Sequence, residues 1–335
     1  MTQHDTKKNE TLLPLGKTGP RVFPLGLGCM GMSGMYGASD EAESLRAIDV
    51  ALEAGVTLFD TGDFYGMGHN ELLIHEALQG RRDAVQLSVK FGALRGPDGS
   101  WLGVDNRPAA VKTFAAYSLK RLGVEAIDVY RPARLDPSVP IEETMGAVAD
   151  LIKAGYVRHA GLSEVGADTV RRAHAVVPIA DLQIEYSIAS RKPEETIFPA
   201  LTELGVSATL YGVFSRGLLT GSKPTGPGDF RAYLPRFTGD NRAQNDDVVS
   251  KLKAFADARA MTPAQVVLAW VRARQPAFLP VVGARTLKQI DEALDALERP
   301  LSAADVEALE RIVTKEAIAG SRYAAEQMKH LDSER

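Results

Sequence analysis

Short, continuously apolar runs recur along this chain, separated by longer segments in which apolar residues return at helical spacing. The runs occupy residues 23–29 (FPLGLGC), 56–61 (VTLFDT), 85–92 (VQLSVKFG), 126–131 (AIDVYR), 157–163 (VRHAGLS), 180–187 (ADLQIEYS), 206–213 (VSATLYGV) and 278–284 (FLPVVGA). Runs that are apolar throughout, rather than alternating, suit parallel strands covered on both faces. The segments between them carry helix punctuation. Residues 39–55 offer Ser39 and Asp40 as caps, acids in the first turn, and Gly55 as a stop. Residues 141–155 and 165–177 place apolar side chains at i, i+3 and i+4. A further helix is expected over 262–274, just before the eighth run.

Eight strand–helix units without a break in composition predict one domain, a (β/α)₈ or TIM barrel, over residues 11–318. A doubly wound sheet is the competing arrangement. Against it, the GLGCMG turn at 26–31 has no acid placed after a second strand to hold a ribose. Long loops are expected after the third and seventh strands, the second of them Gly/Pro-rich and basic over 219–244. The polar residues 1–10 read as a disordered tail, and 319–335 as a C-terminal tail beyond the last helix.

Composition narrows the function classes. The 335 residues are 45% hydrophobic and 24% charged, with a net charge of −4. That balance suits a soluble protein with a sizeable core and gives no general attraction to nucleic acid or anionic lipid. No apolar run is long enough for a membrane span, and the start has no signal-peptide pattern. The single cysteine, Cys29, forbids an internal disulfide and fits a reducing cytoplasm. The six histidines are scattered, so no metal site is expected.

In a barrel of this kind the chemistry sits at the C-terminal ends of the strands. The second strand ends in FDTGDFYGMGHNE and the third in SVKFG, which brings Asp60, Tyr65 and Lys90 to the mouth. A buried lysine needs a partner, and Asp60 is the expected one. A Lys ammonium beside a phenol favours the phenolate, so Tyr65 is expected to have a lowered pKa and to serve as general acid or base. The alternative is a structural Asp60–Lys90 pair with Tyr65 as a loop aromatic.

At these residues the chain resembles the aldo-keto reductases, from PLGLGCMGMSG at 24–34 to the last helix. FDTGDFYGMGHNELLIHEAL, VKFG, AGLSEV, LQIEYS, LYGVFSRGLLTG and VVGARTLKQIDEA are similar to that family's strand-end motifs. The resemblance implies NADP(H)-linked interconversion of an aldehyde or ketone and its alcohol, with Asp60, Tyr65 and Lys90 catalytic. It implies that Ser163 and Gln183 hold the nicotinamide carboxamide and that Tyr211 stacks on the ring. Gly212, Phe214, Gly217 and Leu218 fall where backbone amides approach the pyrophosphate, and glycine permits that closeness. Gly283, Arg285, Gln289 and Glu292 fall at the adenosine end, where Arg285 would grip a 2′-phosphate and so favour NADP. An asparagine common after the position of Glu292 is replaced here by Ala293.

The fourth strand departs from the family pattern. YRPARLDP at 130–137 has Ala133 where many members carry a histidine that donates to the substrate oxygen. His69 is the nearest other histidine by position. Arg131 shares the parity of Ala133 one layer deeper, so its side chain is expected to reach up and supply positive charge. Alternatively, Ala133 makes room for a bulkier or more polar substrate. Met30, Arg131 and Ala133 are the expected pocket residues. ARLDPSVPIEETM and the stretch at 161–187 are similar to the pyridoxal reductases, which share Ala-Arg at this place. Two other readings compete: a cofactor-binding regulatory protein with little turnover, and a non-redox aldolase using Lys90. The substrate, the favoured direction and the oligomeric state are not legible.

Overall fold

The computed structural model describes residues 12–225 and 229–335, so the expected N-terminal tail lies outside the described residues. The eight apolar runs form eight parallel strands. They are β1 (Gly26–Gly28), β2 (Leu58–Gly62), β3 (Gln86–Phe91), β4 (Ile127–Pro132), β5 (Val157–Ser163), β6 (Ile179–Glu185), β7 (Ser207–Tyr211) and β8 (Leu279–Gly283). Each strand pairs with its sequence neighbours, and β8 pairs with β1, so the sheet closes into the expected barrel.

Helices α1 (Glu41–Glu53), α2 (His69–Ala77), α3 (Pro108–Leu122), α4 (Ile141–Lys153), α5 (Ala167–Val176) and α6 (Ile197–Leu204) follow the first six strands in turn. Asp40 is the cap of α1: its carboxylate accepts from Glu43 N at 2.8 Å, a contact worth about 1 kcal/mol. The face α4 buries (Ile141, Thr144, Met145, Val148, Leu151) is the i, i+3, i+4 set read from the sequence. After β7 come α7 (Gly239–Asp257) and α8 (Pro263–Arg274), and after β8 come α9 (Leu287–Asp295), α10 (Ala303–Ile312) and α11 (Ala325–Lys329).

The bottom of the barrel is closed by an antiparallel hairpin, Leu13–Pro14 with Arg21–Val22. Its Leu15 and Val22 are fully buried in one cluster with Leu58, Val129, Leu279 and Val281. Gly16, at φ +70°, lies so close to the barrel floor that a Cβ there would stand 2.3 Å from Ala180 O.

The two expected loops and the expected C-terminal tail are more ordered than their composition suggests. The segment after β3 folds as a hairpin, Ala93–Arg95 with Trp101–Val104, because GPDG supplies a tight turn between apolar flanks. The connection after β7 contains turns at Phe230–Tyr233 and Pro235–Phe237, and α7 begins inside the stretch read as loop. Residues 319–335 fold back over the mouth. Asp332 accepts from Gly166 N at 2.9 Å and from Thr169 Oγ1 at 2.7 Å, which caps α5, a helix whose own sequence supplies no capping side chain.

Candidate active site

Strand register brings the catalytic candidates together. Gly28 pairs with Asp60, Asp60 with Ser88, Gly62 with Lys90 and Lys90 with Arg131, so these residues occupy adjoining positions around the mouth. Asp60 and Lys90 are nearly fully buried, and Lys90 Nζ donates to Asp60 Oδ2 at 2.5 Å. The other carboxylate oxygen accepts from Ser88 Oγ and from Gln183 Nε2, each at 2.8 Å. Asp60 thus has both oxygens satisfied and ties β2 to β3 and β6. Tyr65 sits in the turn after β2, buried to 6% exposure, with Lys90 Nζ 5.0 Å from the centre of its ring.

The expected lowering of Tyr65 is overturned. Burial raises the phenol well above its ordinary value, and the Asp60 carboxylate raises it further. Lys90 is spent on Asp60, and burial pulls its own ammonium below the usual lysine value. The resting site therefore holds a neutral phenol at neutral pH, ready to give a proton.

Arg131 does not reach the mouth either. It is fully buried inside the barrel, with Nη1 donating to Asp181 Oδ2 at 2.9 Å and to Thr209 Oγ1 at 3.1 Å, and Nη2 donating to Ser88 Oγ at 2.9 Å. Its charge is met by Asp181, and it acts on the site from below: through Ser88, which in turn donates to Asp60, and through its charge, which helps pull Lys90 below the usual lysine value. Ala133 lies at the rim, with its amide donating to Phe91 O at 2.8 Å beside Lys90. His69 is turned away, its ring between Ser33 Oγ at 3.0 Å and Glu41 at 3.2 Å, so it does not stand in for the missing histidine.

The remaining candidates ring the other side of the mouth. Ser163 Oγ, at the end of β5, is buried and has no hydrogen-bond partner. Tyr211 ends β7, and its hydroxyl donates to Glu164 Oε1 at 2.7 Å. Gly212, Phe214, Gly217 and Leu218 form the turn that follows, in which Ser215, Arg216 and Gly217 take left-handed φ of 48°, 55° and 89°. Among the described residues Met67, Glu164, Ser215, Arg216 and Ala260 are the non-glycines with positive φ, and all but Ala260 lie at the mouth. Strain of this kind gathers at functional sites. Gly283 ends β8, Arg285 lies in the connection that follows, and Gln289 and Glu292 lie in α9. The Arg285 guanidinium donates to the carbonyls of Tyr36, Gly37 and Ala38 at 3.1–3.4 Å, and Gln289 Oε1 accepts from Arg285 N at 3.0 Å. Met30 opens a 3₁₀ turn after β1 and is half-buried.

Sequence reading missed a buried ionic cluster between these two sides. Glu164 accepts from Arg322 at 2.9 and 2.6 Å, from Ser333 Oγ at 2.6 Å, from Tyr211, and from Glu185 N at 3.0 Å. Burial opposes its charge, but Arg322 and the other donors outweigh it and hold the carboxyl far below its usual range. Glu185 pairs with Arg216 at 2.8 Å. Tyr323, also from the C-terminal segment, brings its hydroxyl to 3.3 Å from that of Tyr211 and 3.2 Å from Arg134 Nη2. Acids at the ends of strands, in LSEV and QIEYS, were the available signal. Nothing in the aperiodic tail pointed to Arg322 or Tyr323.

A second buried carboxylate pair lies behind the Tyr65 turn. Asp63 Oδ1 and Glu71 Oε1 are both buried without partners, while Arg121 pairs with the other oxygen of Glu71. Burial, and then Glu71, push Asp63 up to about 7. A carboxyl raised above its unfolded value of 3.8 supports the fold fully only below that value, and the support is lost as pH rises towards 7. Asp63→Asn is therefore expected to gain stability relative to the parent between pH 5 and pH 8, by on the order of 1–3 kcal/mol, read from thermal unfolding across that range. A difference that does not change with pH would assign Asp63 a purely packing role.

The Aldo/keto reductase family model matches residues 24–314. A probable aldo-keto reductase 1 of Glycine max is 39% identical over 318 residues, covering 92% of this chain and 90% of that protein. The aldo-keto reductase yakc of Schizosaccharomyces pombe, whose name carries NADP(+), is 36% identical over 321 residues, covering 93% and 94%. Among solved structures, the aldo-keto reductase AKR11C1 from Bacillus halodurans in its holo form superposes with a TM-score of 0.76 at 28% identity, covering 91% of this chain and 97% of that one. The glycerol dehydrogenase AKR11B4 from Gluconobacter oxydans shares the fold, with a TM-score of 0.81 at 24% identity over 93% of this chain and 98% of that one. The chain belongs to the aldo/keto reductase family of oxidoreductases.

Proposed function

We propose that this chain is an NADP(H)-dependent oxidoreductase that interconverts an aldehyde or ketone and the corresponding alcohol. The observation that carries the reading is the convergence of buried Asp60, Lys90 and Tyr65 on one side of a mouth whose other side presents Ser163 and Tyr211. The residues fit the cofactor: Ser163 Oγ is a buried hydroxyl left without a partner, as expected of an atom that holds a carboxamide. The left-handed turn at Ser215–Gly217 suits close backbone approach to a pyrophosphate. The name of the yeast relative supports NADP over NAD.

When bound, NADPH supplies the hydride. Tyr65 donates the proton to the developing alkoxide, or takes it back in the oxidation direction. Asp60 fixes Lys90 beside the Tyr65 ring, and Ser88 and Gln183 hold the carboxylate of Asp60 in place. The oxidation of a secondary alcohol and the reduction of a pyridoxal-type aldehyde are finer readings, the second resting on Ala133-Arg134. A single buried cysteine fits a cytoplasmic setting, and no helix of the described residues is long and apolar enough to cross a membrane.

Loss of reduced-nicotinamide absorbance with a panel of aldehydes and ketones, pyridoxal included, tests the reading. No turnover with any member, and no oxidation of the matching alcohols, would overturn it. Arg285→Ala tests cofactor choice. NADPH binding should weaken by about tenfold to a hundredfold, the value of a charge-assisted contact, and NADH binding by much less. Equal losses would mean that Arg285 only fastens the carbonyls of residues 36–38.

A further inference from the structure

Arg134 is a cation at the mouth with no carboxylate of its own. Its Nη1 donates to Ala133 O at 2.6 Å and its Nη2 to the Tyr323 hydroxyl at 3.2 Å, both neutral oxygens. Among the described residues no carboxylate oxygen lies within 4.0 Å of it, although other arginines of the cluster have one. Glu164 acts on it from beyond that distance, after the phenols of Tyr323 and Tyr211, and Glu164 is committed to Arg322, Ser333 and Tyr211. Arg236 shares Glu185 with Arg216, so the cluster as a whole has more guanidinium than carboxylate. A partly buried guanidinium whose direct partners are all neutral retains attraction for an anion.

The position of Arg134 matters as much as its charge. It follows Ala133, whose amide is bonded beside Lys90, and it is among the charges that act on Tyr65. Through Tyr323 it reaches Tyr211 on the opposite side. It therefore spans the space between the proton donor and the ring against which the nicotinamide is proposed to lie, where a substrate must sit. Ala133, the residue before Arg134, contributes only a methyl group there. The Tyr323 phenol is an additional donor there: burial works to raise it, but Arg216 and Arg134 outweigh burial and hold it below its ordinary value.

We propose that Arg134, with Tyr323 beside it, is a substrate-recognition pair that selects carbonyl compounds bearing an anionic oxygen, such as a carboxylate or a phenolate. This rests on the oxidoreductase reading and narrows its substrate class. Arg134 is a specificity-determining residue, and Tyr323 orients its guanidinium and adds a second donor.

The test compares 3- and 4-carboxybenzaldehyde with their methyl esters, and 3-hydroxybenzaldehyde above and below its phenol pKa, as substrates with NADPH. The parent should prefer a carboxylate or a phenolate over its neutral partner, and the arm with the larger preference names the anion. Arg134→Met should cut kcat/KM for the preferred anion by about tenfold to a hundredfold, mainly through KM, and change the neutral partner by less than about threefold. Arg134→Lys should restore part of the preference, and Tyr323→Phe should lose a smaller part. Benzoate binding to the NADP⁺ complex by calorimetry gives a readout without turnover, and it should vanish in Arg134→Met. If the parent reduces the esters as well as the acids, or Arg134→Met lowers both alike, the recognition pair is wrong while the oxidoreductase stands. If nothing is reduced but benzoate binds in an Arg134-dependent way, the pair stands and the reaction is wrong. The absence of both benzoate binding and anion preference overturns the proposal.

Discussion

Tyr65→Phe should lower kcat by about 10²–10⁴-fold, the usual worth of a positioned general acid. The hydroxyl is the only atom lost, and Tyr65 is packed against Phe64 in an edge-on contact that a phenylalanine preserves. Cofactor affinity should therefore stay within about twofold, because only the transferable proton is removed. The raised phenol gives the effect a pH signature. Since burial and Asp60 hold the proton on Tyr65, reduction should stay flat through neutral pH and fall only in the alkaline range. Asp60→Asn removes the carboxylate that helps raise the phenol, so its alkaline limb should move to lower pH. A Tyr65→Phe enzyme retaining more than about a tenth of parental kcat would require another acid; at that level the acid–base contribution is below its usual range.

Much of the barrel was legible because its signal is periodic and repeated. Eight continuously apolar runs map onto eight parallel strands, and the caps and stops bracket helices such as α1 and α4. The Asp60–Lys90 pairing was legible for a different reason: a lysine and an aspartate in otherwise apolar strands must meet something. What sequence reading got wrong were balances between opposing effects. Lys90 is close enough to Tyr65 to favour its phenolate, but the contribution of burial is larger, and no spacing rule reveals burial of that degree. Arg131 has the parity to face the mouth, yet Asp181, fifty positions away, holds it inside the barrel. The role of residues 319–335 was invisible because the contacts that dock them on the barrel are distant in sequence. Asp332 caps a helix that begins 165 positions before it, and Arg322 meets a glutamate 158 positions away.

That last contact carries the other large expectation. Arg322→Met should destabilise the protein by about 3–5 kcal/mol, the range for removing one partner of a buried ion pair. The cost comes from what remains. Glu164 is fully buried and holds its charge chiefly because Arg322 offsets the burial, and without the guanidinium that charge is stranded. A carboxyl depressed in the folded state stabilises the fold above its unfolded value of 4.5, and that contribution fades as pH falls below it. The parent should thus lose this stability only in acid, whereas Arg322→Met should already be weak at pH 7. Adding Glu164→Gln to Arg322→Met removes the stranded charge and should recover a substantial part of the loss, which thermal unfolding of the four proteins of the cycle would measure. The same cycle reports on function, because Glu164 is also the acceptor for the Tyr211 hydroxyl and Ser333 docks the segment that carries Tyr323. Arg322→Met should weaken cofactor binding along with stability and expose residues 319–335 to proteolysis before the barrel unfolds. Equal stability of parent and variant at pH 7, with the C-terminal segment still protected, would mean that Asp332 and Ser333 suffice to hold the segment and that Glu164 finds its counter-charge elsewhere.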